Sequence, residues 1–80
     1  MKLPRAVSGA DLVKALDRLG YQVNRQTGSH IRLTLEGTHQ HHITIPNQDP
    51  IRVGTLGAII SDISAHLETP KQELIKKLFG

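Results

Sequence analysis

The chain has 80 residues, no cysteine and a formal net charge of +3 at pH 7. That length suits one small domain, and without cysteine neither a disulfide framework nor a thiolate metal site can form. No apolar run approaches the ~20 residues of a membrane-spanning helix and no signal-peptide core follows Met1, so we expect a soluble cytoplasmic protein. The positive charge permits a nucleic-acid partner without requiring one.

A helix is predicted from residue 9 to residue 19. Ser8 provides an N-cap, and Asp11 three residues later approaches the capping-box pattern. Gly20 stands where a glycine commonly ends a helix. Between these signals the apolar residues recur at helical spacing, namely Leu12, Val13, Leu16 and Leu19.

Three short strands are predicted next, over residues 21–24, 29–35 and 41–45. Polar residues and glycine cluster in the turns between them, at residues 26–28 and 36–38, and Pro46 ends the third strand because proline lacks the ladder donor. Links this short predict an antiparallel meander. Successive strand side chains face opposite sides, so one sheet face is predicted to be apolar and the other to carry His30, Arg32, Thr34, His42 and Thr44.

Two helices complete the predicted fold. Gly54 and Thr55 are expected to introduce the second helix, with Thr55 as its N-cap, before an apolar stripe at Leu56, Ile59, Ile60, Ile63 and Leu67. The third is predicted to use Thr69 as cap, Pro70 as first residue and Gln72 to complete the box. The expected class is α+β, with an α-β-β-β-α order, a three-stranded antiparallel sheet, helices on one face and an extra C-terminal helix.

His30 is the main candidate for chemistry. It follows a glycine turn, begins a strand and shares the polar face with Arg32. Histidine is the side chain whose ordinary pKa lies near neutrality, and an imidazole among cations suits work on a phosphodiester. The same pattern is also that of a surface histidine without a functional role.

The other histidines carry weaker hypotheses. His39 and His41 could form part of a divalent metal site, but no carboxylate or thiolate completes a tetrahedral set, so no metal site is predicted and a solvated hairpin is favoured. His42 shares a face with His30 and either assists as an acid or only lies beside the site. His66 is expected to pack or to compensate a helix dipole.

Several segments form a wider pattern: Ser8-Gly9, Leu19-Gly20-Tyr21, Arg25-Gln26-Thr27-Gly28-Ser29-His30, Ile45-Pro46-Asn47, Arg52-Val53-Gly54-Thr55-Leu56 and Ile59-Ile60. This pattern resembles the HicA family of bacterial and archaeal toxins, also called YcfA-like, over about residues 3–79. The resemblance implies a double-stranded-RNA-binding-like fold. It also implies an mRNA interferase, an endoribonuclease of a toxin–antitoxin pair, neutralised by a HicB-type antitoxin. Gln48 departs from the family, which often has histidine there.

On that resemblance, His30 is the expected catalytic residue, and Gly28 and Ser29 shape its turn. Arg25 and Arg32 are candidates to stabilise negative charge on the phosphate, and the backbone amides of Gly54 and Thr55 offer a second phosphate contact. The other expected substrate contact is His42. No cofactor is expected, and the protein is expected to be a monomer when free and a hetero-oligomer with its antitoxin. Two alternatives stay open: a non-catalytic RNA-binding module and a protein-interaction domain of the same fold.

Overall fold

The computed structural model describes residues 3–80 and confirms the α+β topology. Its elements are α1 (Gly9–Asp17), β1 (Tyr21–Thr27), β2 (His30–Leu35), β3 (His41–Pro46), α2 (Val53–Leu67) and α3 (Lys71–Phe79). The strands form one antiparallel sheet in the order β1-β2-β3. None of the helices within residues 3–80 is long and apolar enough to cross a membrane.

The start of α1 follows the sequence prediction. The Ser8 hydroxyl accepts a hydrogen bond from the Asp11 backbone N–H at 3.0 Å, and the Asp11 carboxylate accepts one from the Ser8 N–H at 3.1 Å. Hydrogen bonding by Ser8, chiefly from its backbone N–H to the carboxylate, lowers the pKa of the Asp11 carboxyl below its ordinary value. The helix ends two residues earlier than predicted, and Gly20 adopts a φ of +97° in the turn that leads into β1.

The first hairpin differs from the sequence prediction. β1 continues to Thr27, so the turn is not residues 26–28 but the two residues Gly28 and Ser29, with Thr27 paired to His30. Gly28 has a φ of +43°, which suits the positive φ that tight hairpin turns demand at this position. Strand β2 therefore begins at His30, directly after the turn.

A β-bulge in β1 decides which side chains share the open face. The register passes from Val23 opposite Leu33 to Arg25 opposite Arg32, and leaves Asn24 as the extra residue. Arg25 consequently points to the same side as Arg32. Without the bulge, strict alternation from Tyr21 would have placed Arg25 on the core side. Val23 stays on the core side but is 45% exposed.

The third strand lies at the edge of the sheet, and includes Pro46, which is paired with His30. The expectation that Pro46 terminates the strand was therefore one residue early. A proline is tolerated here because an edge strand can leave a donor position unpaired.

Both predicted caps of the later helices were wrong. α2 begins at Val53 with Arg52 as its N-cap and no side-chain cap, so Thr55 lies inside the helix. For α3, Pro70 is the N-cap residue, also without a side-chain cap. The Thr69 hydroxyl instead donates to the Leu67 carbonyl at 3.2 Å, in the turn where Glu68 adopts a left-handed conformation.

The core lies on one side of the sheet, as the alternation predicts. Its strand residues are Tyr21, Ile31, Leu33, Ile43 and Ile45, and its helical residues include Leu12, Leu16, Leu56, Ile60, Ile63, Leu74 and Leu78. α1 packs near β1, α2 near β3, and α3 against both helices. On the opposite sheet face His30, Arg32, His42 and Thr44 are exposed and available to a ligand, whereas Thr34, predicted to share that open face, is only 6% exposed.

Candidate active site and nucleic-acid interface

His30 is exposed at the first position of β2. In the register of the sheet it stands between Thr27 on β1 and Pro46 on β3. Its side chain lies on the open face, because the neighbouring Ile31 is buried in the core. The ring predicted from sequence to be the reactive group is therefore accessible to solvent.

The Ser29 hydroxyl orients the His30 ring. Its Oγ lies 3.1 Å from Nδ1 of His30. A serine hydroxyl can donate or accept. When Oγ accepts from Nδ1–H, the other ring nitrogen, Nε2, has its lone pair free for an incoming proton.

Backbone contacts bring two further segments to His30. The Asn47 N–H donates to the Ser29 carbonyl at 2.7 Å, and the Gly9 N–H donates to the Gln48 carbonyl at 2.8 Å. A Cβ on Gly9 would lie 2.6 Å from the Pro46 carbonyl oxygen, so only glycine allows this approach. The start of α1, the end of β3 and the β1–β2 turn thus form one structural unit. We call it the His30 corner and define it as Gly9, Ser29, His30, Pro46, Asn47 and Gln48.

Arg25 and Arg32 form the next row of the open face. They are register partners on adjacent strands, and Thr44 on β3 completes their row. Arg32 is two residues from His30, which places its row about 7 Å along the strand. Both arginines are exposed, and among residues 3–80 neither has a carboxylate within ion-pair distance. Their charge is therefore available to an anion near His30.

His42 lies farther from His30 than the sequence hypothesis of direct assistance requires. It is the register partner of Thr34, four residues along β2 from His30, which corresponds to about 13 Å. Its Nδ1 is 2.9 Å from the Thr34 hydroxyl, and its Nε2 is 3.1 Å from Oε1 of Gln40. The structure therefore places His42 on the same face as His30 but outside the His30 corner.

Gly54 and Thr55 are exposed in the first turn of α2. No hydrogen bond within the described part of the chain joins this turn to the His30 corner. The phosphate contact predicted for the backbone amides of Gly54 and Thr55 stays a prediction. The residues that do lie together on the open face are His30, at the end of the β1–β2 turn, and the two arginines.

A cluster that the sequence did not reveal ties the end of the sheet opposite His30 to α2. The Tyr21 hydroxyl is 2.6 Å from Nδ1 of His41, whose Nε2 is 3.3 Å from Asp62. The His41 ring also stacks on His66, with centroids 4.2 Å apart. Burial, helped by the negative charge of Asp62, raises the pKa of Tyr21 to about 12. Local sequence gave no signal of this cluster, because its members are some twenty residues apart.

The contacts of His41 with Tyr21, Asp62 and His66 differ from the pairing with His39 that was considered for a metal site. Within residues 3–80 no three histidine, cysteine or acidic side chains converge as a metal-binding group. His41 instead contacts the tyrosine and the aspartate described above, and the packing role predicted for His66 is supported by its stacked ring.

Comparison with known protein families identifies the family of this chain. The model of the HicA toxin of bacterial toxin–antitoxin systems matches residues 9–64. The chain belongs to the HicA toxin family. The family is that of the toxins of bacterial toxin–antitoxin pairs, which implies an antitoxin as partner. Comparison with curated proteins and with solved structures gives no significant match.

The HicA match spans the features described for the open face. It runs from the first residue of α1 to near the end of α2, and so includes the His30 corner and both arginines. α3 lies outside the matched segment. Its contribution to the fold is the burial of Leu74, Ile75 and Leu78 against the remaining helices.

Proposed function

We propose that this HicA toxin is a metal-independent endoribonuclease that cleaves mRNA in the cytoplasm, with His30 as its general base. The observation that supports this most directly is the accessible His30 ring, held at the end of an open sheet face beside two arginines that have no carboxylate partner within residues 3–80. Family membership supports the toxin function. The assignment of His30 and of the reaction is our proposal.

In the proposed reaction Nε2 of His30 removes the proton from a ribose 2′-hydroxyl. The 2′-oxygen then forms a bond to the adjacent phosphorus, and the bond from phosphorus to the 5′-oxygen breaks. The products are a 2′,3′-cyclic phosphate and a 5′-hydroxyl. A well-placed base contributes a factor of about 10²–10⁴, which corresponds to roughly 3–5 kcal/mol of activation free energy.

We assign to Ser29 the role of hydrogen-bond acceptor for Nδ1–H of His30. With Oγ accepting from Nδ1–H in both the neutral and the protonated ring, Nε2 can first take and later release a proton. His30 is the single titratable side chain of the corner as defined above. The Gln48 side chain can donate a hydrogen bond but no proton. We therefore assign the return of a proton to the 5′-oxygen to His30 and water.

Arg25 and Arg32 are proposed to stabilise the charge that develops on the non-bridging oxygens. A guanidinium presents several N–H donors in a fixed plane, which suits phosphate oxygens. Because neither arginine has a carboxylate partner in the described chain, no ion pair has to be broken when a phosphate binds. Gly28 contributes through the turn that aims Ser29 and His30, and the α2 amides at Gly54 and Thr55 remain proposed for a more distant phosphate.

The antitoxin is proposed to be a HicB-type protein that covers this face in a hetero-oligomer, whereas the free toxin is a monomer. The alternatives are a non-catalytic RNA-binding module and a protein-interaction domain. An RNA-binding module would bind RNA without forming cleavage products. A protein-interaction domain would bind the antitoxin but neither bind nor cleave RNA.

A cleavage assay separates these functions. The purified protein is incubated with an end-labelled transcript in EDTA, beside His30→Ala and a matched control, His39→Ala, which removes an exposed histidine from the β2–β3 link. We expect the parent and His39→Ala to cut the transcript and His30→Ala to be inactive. Equal cutting by His30→Ala would refute the assignment, and intact RNA in every lane would exclude the nuclease.

A further inference from the structure

His42 belongs to a row of the open face that the proposed cleavage chemistry does not use. This row is formed by Gln22, Thr34 and His42, which are register partners across the three strands. It lies beyond the Arg25 and Arg32 row, about 13 Å from His30 along β2. A strand of RNA that follows the face from His30 over the arginines reaches His42 next.

Hydrogen bonds within the protein occupy both ring nitrogens of His42. Gln40 directs its amide nitrogen to the two carboxylate oxygens of Glu36, at 2.9 and 3.0 Å, so its Oε1 is free to accept from His42 Nε2–H. The Thr34 hydroxyl then donates to Nδ1 at 2.9 Å. Thr34 is only 6% exposed, which fixes this end of the ring.

His42 is exposed, and because both of its nitrogens are engaged, what the ring can offer a ligand is its face and its carbon edge. A ring held in this way is poorly suited to transfer protons or to donate to a ligand. It is well suited to stacking, because histidine is one of the side chains on which unpaired RNA bases stack. The face offers no larger aromatic ring, since Tyr21 is buried in the core and Phe79 lies on α3.

We propose that His42 is a stacking platform for one base of single-stranded RNA, on the nucleotide that lies beyond the arginine row from the scissile phosphate. Gln40 and Thr34 are the residues that hold the platform in place. This inference rests on the proposed function, because it requires that RNA occupies the open face. It assigns His42 to substrate binding and not to the proton transfers.

Equilibrium binding tests the stacking contact without interference from cleavage. Every variant carries His30→Ala, and the probe is a fluorescent, unstructured single-stranded RNA followed by anisotropy. His42→Ala and His42→Asn lose the ring and are expected to bind roughly 10-fold more weakly. His42→Phe keeps a ring without nitrogens and is expected to bind within about 3-fold of the His42 parent, as is the His39→Ala control.

The comparison between the phenylalanine and asparagine variants decides the inference. Tight binding by His42→Asn, or weak binding by His42→Phe in a protein whose thermal unfolding is normal, overturns it. Cleavage by the His30 parent without any effect of His42 on binding also overturns it while the nuclease stands. If binding depends on the ring as expected but the protein with His30 intact does not cleave RNA, the stacking proposal is supported and the nuclease proposal is refuted. If no variant binds RNA, both proposals are refuted.

Discussion

At the scale of single residues, the orientation of one imidazole depends on the side chain before it. Ser29 lies at the second position of the hairpin turn and places Oγ 3.1 Å from Nδ1 of His30. The ring is exposed, so packing alone does not hold it. A hydroxyl at this position therefore reduces the number of ring orientations, and when it accepts from Nδ1–H it leaves Nε2 free.

Substitution of Ser29 tests this positioning effect. Ser29→Ala removes the bond, whose net value is about 1 kcal/mol, so we expect kcat to fall roughly 5-fold with KM nearly unchanged. Ser29→Thr retains a hydroxyl and is expected to recover most of the rate. Single-turnover kinetics on a short RNA measure both variants. A full rate for Ser29→Ala, or an equal loss in both variants, would show that the hydroxyl does not position the ring.

At the scale of elements, the His30 corner depends on a close approach between α1 and the chain after β3. The Gly9 N–H bonds to the Gln48 carbonyl, and its Cα has no room for a side chain beside the Pro46 carbonyl. The Asn47 N–H in turn bonds to Ser29. A displacement of α1 is therefore passed through residues 46–48 to the turn that carries the catalytic candidate.

Gly9→Ala tests this connection. The added Cβ must displace the backbone at Pro46, so we expect a loss of about 1–3 kcal/mol in the free energy of unfolding and a fall of roughly 10-fold or more in cleavage rate. Gly57→Ala is the matched control. Gly57 lies inside α2, and an added Cβ would meet only the Leu3 side chain, at an ordinary contact distance of 3.5 Å. It is expected to stabilise the protein by about 0.5–1 kcal/mol.

Urea unfolding and cleavage kinetics measure the two glycine variants together. A Gly9→Ala protein with normal stability and activity would contradict the tight approach. Loss of stability with an unchanged cleavage rate would show that α1 does not control the geometry of the His30 corner.

The same scale shows what the sequence could predict. The alternation of Ile31, Leu33 and Leu35 with polar residues placed β2 to within one residue and its core face correctly, although Thr34 on the opposite face is buried. The end of β1 was missed because Arg25, Gln26 and Thr27 are all polar and exposed, which resembles a loop. The starts of α2 and α3, predicted with Thr55 and Thr69 as caps, were misplaced because cap preference is a weak local signal, and the actual N-cap residues, Arg52 and Pro70, have no side-chain cap.

At the scale of the whole molecule, contacts between residues distant in sequence complete the fold. The Tyr21–His41–Asp62 contacts join β1, β3 and α2, and residues 46–48 join α1 to the hairpin. Neither set could be inferred from periodicity, since each pairs segments at least eighteen residues apart. The position of His30 was predictable from the motif, but its neighbours across the chain were not.

The tyrosine in this cluster predicts an alkaline limit to stability. Its pKa is raised to about 12 in the folded protein, chiefly by burial and then by Asp62, against an ordinary value of about 10. The unfolded chain therefore releases the proton first, and the contribution of neutral Tyr21 is present below pH 10 and lost as pH rises towards 12. The free energy of unfolding should fall over this range.

Tyr21→Phe provides the comparison. It loses the hydrogen bond to His41, so we expect a cost of about 1 kcal/mol near pH 7, but its stability should change less between pH 10 and 12 than that of the parent. Urea unfolding at pH 7, 10 and 11 measures both proteins. Parallel alkaline losses in the two proteins would show that Tyr21 does not cause the effect.

The chemistry proposed for the open face is tested most directly by the ribose that it must attack. Two RNAs that differ only by a single 2′-deoxyribose at one mapped cleavage site are incubated with the toxin in EDTA, and the product ends are identified by mass spectrometry. We predict 2′,3′-cyclic phosphate ends from the all-ribose RNA, no cut at the deoxy position, and no cut of either RNA by His30→Ala. Cleavage at the deoxy position, or 3′-hydroxyl ends, would contradict a reaction in which His30 activates the 2′-hydroxyl.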